Sequence, residues 1–367
     1  MSLARDIADL GAVTSRLDTV GGSSGALSNR RLTTNGAMQV AQRGTSFASV
    51  SSGEAYTVDR FGRYINAAGT WTITQSTDTP TGQGFANSIK FDCTTANGSL
   101  SAGSEYLFFQ RFEGQDLQRL KKGTANAEKV TLSFWVKSSK TGTYITELFD
   151  NNNSRHINKA YTISAANTWE KKEITFDGDT TGAITNNNAT SIQLNFFLAN
   201  GSNWQSGTLQ TSWGANTQAN RAVGQVNLAD STSNDWYLTG VQLEVGDTAT
   251  PFEHRSSFGE ELGRCMRYYY KSNYGATFTT GDLYFGRDTR VLQISFPTNM
   301  RANPSVTTCN DVSLPSGGGS GHYVVHGTGN YTDGANLHST PNQFTMYTPQ
   351  RSTSQPTKTG FIADAEL

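Results

Sequence analysis

The side chains that do most chemistry are proton carriers, metal ligands, nucleophiles and flat rings, and this 367-residue chain uses the first three sparingly. Its histidines are His156, His254, His322, His326 and His338. His322 and His326 stand as H-Y-V-V-H, the spacing of paired zinc ligands on a helix. In an extended strand, positions i and i+4 lie ~13 Å apart, too far to share one ion. No glutamate adjoins His322, so a structural role is expected for both. His254 is expected to hydrogen-bond across a turn or subunit contact, while His156 and His338 stand among polar loop residues. Cys93, Cys265 and Cys309 cannot all pair and have no C-x-x-C spacing, which argues against a disulfide framework or a zinc site. Nucleophilic catalysis has no G-x-S-x-G elbow to use, and Cys265 beside Arg267 has no identifiable base. The run SGGGSG (316–321) lacks the Gly-Lys-Ser/Thr of a phosphate loop and reads as a turn.

Carboxylates and tryptophans remain. Glu147, Asp150, Asp177, Asp179 and Asp230 could supply the acid pair of a glycoside hydrolase, yet acidic residues at loop tips are ordinarily just solvated. Asp78 with loop carbonyls, or Asp177 with Asp179, could offer oxygens to a structural Ca2+, although no EF-hand spacing exists. No other metal or cofactor is expected. Trp204 and Trp213 lie in the polar stretch NGSNWQSGTLQTSWGANTQ (200–218). A flat indole there can stack on a sugar face while neighbouring amides read the hydroxyls. These two and Trp135 are the glycan-binding candidates; the loop pair could equally fold over the open end of a sandwich or meet a sister subunit. Trp169 and Trp236 are expected in the core. Tyr268, Tyr269 and Tyr270 are consecutive and cannot all face one core, so Tyr269 is taken as an assembly residue.

The elements that must position these residues are mostly strands. Hydrophobic residues make up 35% and charged residues 16%, whereas disordered chains are poor in the first but rich in the second. Gly, Ser, Thr and Asn fill the difference, the composition of short strands and tight turns. Val130, Leu132, Phe134 and Val136 alternate, as do Ile192, Leu194, Phe196 and Leu198, and then Val241, Leu243 and Val245. A single helical turn is expected within FEGQDLQRLKKG (112–123). Before the strands, residues 2–20 carry a heptad seam of Leu3, Ile7, Leu10, Thr14 and Leu17, too short to be stable alone. The seam and a glycine-serine tether (21–25) form an anchor over 1–31. A β-sandwich over 32–257 and a smaller C-terminal β-sandwich over 258–367 follow. Net charge is −1, so no field draws nucleic acid. No apolar run approaches the ~20 residues of a membrane span. Met1–Asp9 shows no signal-peptide pattern, and three separate thiols suit synthesis in a reducing cytoplasm.

Two stretches carry a family resemblance. SNRRLTTNGAMQVAQRGTSF (28–47) resembles a segment near the start of many bacteriophage tail-fibre-like virion proteins. Trp236–Phe252, Glu253-His254-Arg255, Glu260-Glu261-Leu262 and Cys265-Met266-Arg267-Tyr268-Tyr269-Tyr270 are similar to a junction in the same group. Ser256-Ser257 and Gly263-Arg264 are departures from it. VTLSFWVKSSKTGTY (130–144) and NTWEKKEITFDGDTTG (167–182) resemble jelly rolls of carbohydrate-binding modules. The resemblance implies a mainly β, non-enzymatic virion protein, made in the host bacterial cytoplasm and assembled as a homotrimer. Its N-terminal segment would dock to other virion proteins, and its jelly roll would meet a host cell-surface glycan. It transfers no catalytic residue. A capsid decoration or head-fibre protein, a depolymerase spike, and a carbohydrate-binding module acting on host polysaccharide are the alternatives.

Overall fold

Strict alternation of apolar residues gives each strand one face that has to be covered, and two sheets covering each other are the solution adopted here. The structure, a computed structural model, describes residues 30–272, 277–278, 289–308, 336–349, 357–358 and 361–367. The expected N-terminal helix, with Leu3, Ile7, Leu10 and Leu17, lies outside the described residues, as do Cys309, His322 and His326. The chain divides at Phe258/Gly259 into two compact units.

In the first unit the strands are β1 (Ser46–Val50), β2 (Gly53–Tyr56), β3 (Phe61–Asn66), β4 (Thr70–Ser76), β5 (Ser88–Thr95) and β6 (Glu105–Glu113). They continue as β7 (Val130–Ser138), β8 (Gly142–Asp150), β9 (Arg155–Ile163), β10 (Glu170–Phe176), β11 (Thr190–Asn200), β12 (Gly214–Ala215) and β13 (Asp235–Val245). A six-stranded antiparallel sheet runs β1-β4-β5-β13-β7-β10 and a seven-stranded one runs β12-β9-β8-β11-β6-β3-β2. The expected helical turn is a 3-10 helix at Gly114–Leu120, and a four-residue helix α1 (Ser202–Gln205) follows β11.

Between the sheets lies an aromatic core. Phe134 of β7 meets Phe196 of β11 edge-on at 5.2 Å, and Phe91 of β5 meets Phe108 of β6 at 5.0 Å. Trp236 is fully buried between them, 5.6 Å from Phe91 and 6.1 Å from Phe196. Tilted and T-shaped pairs set the positive ring edge against a negative face, and here they join one sheet to the other.

The two stretches that carry the family resemblance turn out to touch each other. Leu32 N–H donates to the Leu243 carbonyl at 2.7 Å and Thr33 Oγ1 to the Val241 carbonyl at 2.8 Å. Arg31 N–H donates to Glu253 Oε2 at 3.0 Å. Asn35 and Met38 adopt left-handed φ values of 58° and 56°. Asn35 sustains its conformation by binding Val40 in both directions, Nδ2 to the carbonyl and Oδ1 to the amide, each at 2.9 Å. At Gly36 an added Cβ would stand 2.0 Å from the Val241 carbonyl oxygen. The N-G-x-M sequence is therefore a backbone requirement: a left-handed turn pressed onto β13. β13 bulges at this contact, between Thr239 and Gln242.

The second unit opens with α2 (Phe258–Met266) and continues through β14 (Tyr269–Lys271), β15 (Thr277–Phe278), β16 (Thr289–Ser295), β17 (Ser305–Thr308), β18 (Asn336–Thr340), β19 (Gln343–Pro349), β20 (Thr357–Lys358) and β21 (Phe361–Asp364). These pair antiparallel as β14-β21-β17, β16-β19-β18 and β15-β20. The chain is mainly β in both units.

Gly36→Ala tests the turn. Since the opposing atom is backbone, the substitution is expected to cost about 3 kcal/mol or more, the range of a severe steric defect. Urea unfolding followed by tryptophan fluorescence would measure it; a loss within error of zero would show that the turn has room to move.

Candidate functional site

The pleat decides which side of the sheet each ring takes. In β7 and β13, Phe134, Val136, Trp236 and Leu238 point into the core, so Trp135, Lys137, Tyr237 and Thr239 point out. Cross-strand register sets them side by side: Lys90, Tyr237 and Lys137 form one row, and Thr239, Trp135 and Lys171 form the next. Trp169 belongs to this outer face, contrary to the core position expected from sequence. It stands one residue before β10 with the same parity as Lys171 and Glu173, while Ile174 and Phe176 take the core.

The upper row is a ladder of cations and rings. Lys137 Nζ lies 4.2 Å from the Tyr237 ring centre and 5.5 Å from that of Trp169, and Lys90 Nζ is 5.6 Å from Tyr237. Asp78 ties the ladder down: it pairs with Lys137 and accepts the Trp169 indole N–H at 3.0 Å. Partial burial works to raise the Asp78 carboxyl, but these two bonds hold it below its ordinary value. Trp135 differs from its neighbours. It is half-buried, and its indole N–H is engaged by no side chain or carbonyl among the described residues.

Trp213 lies at an open end of the sandwich. Its indole N–H donates to the Asp177 carbonyl at 2.7 Å, and Lys122 Nζ sits 5.3 Å from its ring. It borders a small pocket floored by Leu117, Leu120, Val130, Leu148, Ile192 and Leu243. Lys122 is almost wholly buried here, paired with Asp150 and, at 2.9 Å, with Asp179. It also donates to the Thr181 and Gly182 carbonyls at 3.1 and 2.8 Å. The carboxylates suggested for calcium are thus already engaged by cations of the chain itself. Asp179 pairs with Lys122 and Arg155, Asp177 with Lys129, and Asp78 with Lys137.

Trp204 does not present a free face. It is 8% exposed, covered by Arg221 at 5.0 Å and packed on Phe197. The polar run 200–218, which could stack on a sugar or fold over the sandwich, belongs to a cover on the outer face of the seven-stranded sheet. The cover is sewn down by Asn158 N–H to the Gln210 carbonyl and Val226 N–H to the Thr143 carbonyl, at 2.8 and 3.0 Å, and is closed on itself by Ala222 N–H to the Trp204 carbonyl at 2.8 Å.

Beneath it lies Glu147, read from sequence as a solvated acid but fully buried in β8. Arg221 grips it with two bonds of 2.7 and 2.6 Å, Asn195 and Asn158 donate at 2.7 and 3.2 Å, and His156 Nδ1 stands at 3.5 Å. Burial works to raise the Glu147 carboxyl, yet Arg221 with these donors holds it below the ordinary value. Burial also lowers His156, whose Nε2 accepts the Thr217 N–H at 3.2 Å, the neutral tautomer. Glu105 is the counterpart: burial pushes it up to about 7 against the pull of Arg221, with Glu147 adding to the rise. Asp150, also read as a loop acid, is fully buried by Lys122. Both acids needed partners distant in sequence to be placed inside, and no local pattern signals such partners.

Of the remaining residues, His254 packs its ring against Phe85 and Phe252. Burial pushes the Cys93 thiol up to about 11, and Cys265 is buried. Tyr269, taken as an assembly residue, is 5% exposed within its own chain, because β14 turns it inward; Tyr270 is the more exposed neighbour. Among the described residues no group of three or more His, Cys, Asp or Glu is arranged to hold a metal, and no helix is long and apolar enough to cross a membrane.

No protein-family profile matches the chain, and no curated protein matches it. Solved structures do. A tailspike protein 4 enzymatically active domain of bacteriophage CBA120 aligns at 13% identity over 59% of this chain and 21% of its own, with a TM-score of 0.32. The family 11 carbohydrate-binding module of Clostridium thermocellum, in complex with a mixed-linked β-1,3-1,4 tetrasaccharide, aligns at 11% identity over 56% of this chain and 99% of its own, TM-score 0.28. The baseplate tripod of bacteriophage Tuc2009 aligns at 12% identity over 95% of both chains, TM-score 0.27. The chain spans about a fifth of the tailspike's length. The similarity is one of general β architecture, and no residue role is carried across.

Two outcomes follow from the buried charges. Lys122→Met leaves Asp150 and Asp179 without their ammonium and is expected to destabilise the protein by about 3 kcal/mol or more; chemical denaturation reads this, and Asp150→Asn in the same chain should recover part of it. Glu105 binds its proton more tightly folded than unfolded, so stability falls as pH rises from its ordinary 4.5 through about 7. Glu105→Gln should remove that loss, stabilising the protein by up to about 3 kcal/mol near pH 8 and little near pH 4. Thermal melts across pH that superimpose for parent and variant would contradict it.

Proposed function

We propose that this chain is a non-enzymatic structural protein of a bacteriophage virion, tail-fibre-like, whose β-sandwich attaches to a host-surface glycan. The virion assignment is supported by the residues at 28–47 and 236–270, which resemble that group and of which the fold joins 31–36 to 241–253 in one clasp. Attachment is supported above all by one observation: Trp135 offers a half-buried ring and an unengaged indole N–H on the outer face of the six-stranded sheet. Beside it, the exposed Lys171 provides a hydrogen-bonding group, and the Asp78–Lys137–Trp169–Tyr237 ladder holds a second set of rings in fixed orientation. A pyranose stacks its C–H face on such a ring while its hydroxyls meet the flanking polar groups. A rigid platform loses little freedom on binding. Of the acids that could have hydrolysed a glycan, Glu147, Asp150 and Asp179 support the non-enzymatic reading, because they are closed off and saturated by charge partners, while Asp177 and Asp230 are exposed and paired with Lys129 and Lys140.

The protein is expected to bind isolated host surface polysaccharide without releasing reducing ends, and to run as a trimer in native mass spectrometry. Trp135→Ala should weaken that binding about tenfold or more, which corresponds to the loss of one stacking contact, with an unchanged melting temperature. Release of oligosaccharide would favour a depolymerase spike. Unchanged affinity in Trp135→Ala would remove the outer face as the attachment surface.

A further inference from the structure

We propose a second carbohydrate subsite at the corner where β6, β11 and α1 meet, built to take two neighbouring hydroxyls of one neutral sugar ring. This rests on the attachment reading above but uses the opposite sheet. Glu105 and Asn200 are direct cross-strand partners at the ends of β6 and β11. Their side chains lie on the outer face, as Leu107 and Phe109 do further along β6. Asn200 is 2% exposed, and neither its Oδ1 nor its Nδ2 has a hydrogen-bond partner. Trp204, 8% exposed, has no partner for its indole N–H. No hydrogen bond to the Glu105 carboxyl occurs among the described residues, although it is only 9% exposed.

Buried polar groups are nearly always paired, and each orphan costs roughly 1–3 kcal/mol. Two buried side chains without partners, Asn200 and Trp204, beside a Glu105 carboxyl that no group among the described residues bonds, point to a ligand. The backbone here is fixed: Gly201 N–H donates to the Ser104 carbonyl at 2.8 Å, Asn203 N–H to that of Ala102 at 3.0 Å, and Gln205 Nε2 to that of Asn200 at 2.5 Å. An added Cβ on Gly201 would stand 1.9 Å from the Ser101 carbonyl oxygen.

Their chemistry selects the ligand. Asn200 Nδ2 and Trp204 Nε1 donate; Asn200 Oδ1 and the Glu105 carboxyl accept. A hydroxyl both donates and accepts, and two on adjacent ring carbons would satisfy all four groups. An anion would meet the Glu105 carboxyl. A metal ion would meet two N–H donors and the Arg221 guanidinium, which lies over Trp204 and bears on Glu105. The rim is reachable: Asn66, Gly103, Ser202 and Asn203 are exposed, and Asn66 pairs in register with Glu105.

The test uses full-length protein labelled with 5-fluorotryptophan, whose six tryptophans give separate 19F signals; Trp204→Phe and Trp135→Phe assign two of them. Methyl α-D-glucopyranoside, methyl β-D-galactopyranoside and N-acetylglucosamine are titrated in turn. The expected result is a saturable shift of the Trp204 signal with at least one sugar. That shift should weaken at least tenfold in Asn200→Ala and in the near-isosteric Asn200→Asp, and persist in Trp135→Phe. A silent Trp204 signal with a responding Trp135 signal would overturn this subsite and leave the outer-face reading standing. Silence at both would overturn both. A Trp204 shift unchanged by both Asn200 variants would also overturn the subsite.

Discussion

Once Phe134, Phe196 and Trp236 are interleaved between the sheets, the pleat leaves their sequence neighbours no choice of direction. Trp135 and Tyr237 must face outward because the residues beside them face in, and cross-strand register then sets Lys90, Tyr237 and Lys137 in a row. On the other sheet the same rule sends Leu107, Phe109, Ile145, Glu147 and Phe197 outward. That surface is too apolar to stay bare, and the 201–227 segment covers it. The core, the aromatic platform and the covered face are consequences of one alternation.

The covered face shows how a fold can use a buried charge for precision. Arg221 and Glu147 lose hydration when they pair, so their net contribution to stability is small. A hydrophobic pair would slide; the two-pronged guanidinium grip on a carboxylate that also holds Asn195 and Asn158 admits one geometry. The cover is therefore positioned, and Trp204 with it. Lys122 does the same at the end of the sandwich, where an ammonium among two carboxylates and two carbonyls closes a gap that loops of this composition could not close by packing.

Much of this was legible in the residues alone. Period-2 runs located the strands around Phe134, Phe196 and Leu243, and turn-formers marked their ends. The orientation of Trp135 followed from that of Phe134. Trp169 was misread because it precedes its strand, where the period has no anchor. Trp204 was left between two readings because its stretch of Gly, Ser, Asn and Gln has no period, and its burial comes from Arg221, 17 positions on, and from a sheet face assembled elsewhere. Glu147 lies 74 residues from Arg221; nothing local distinguishes it from a solvated acid. Alternation reports a residue's side of a sheet, but not whether another part of the chain will later cover it.

The clasp between Arg31–Gly36 and Val241–Glu253 has a temporal consequence. Its hydrogen bonds join residues 208 and 222 positions apart, so the first segment of the sandwich to leave the ribosome finds its partner only when nearly the last emerges. Until then β13, the strand at the middle of the six-stranded sheet, is missing, and the edges of β5 and β7 that it will fill stay open. Closing so long a loop is slow, and open strand edges invite pairing with other chains. Where many copies are translated side by side, the time this domain spends incomplete is fixed by the distance between its two halves of one clasp, so synthesis rate and chaperone supply, more than final stability, would govern how much assembles.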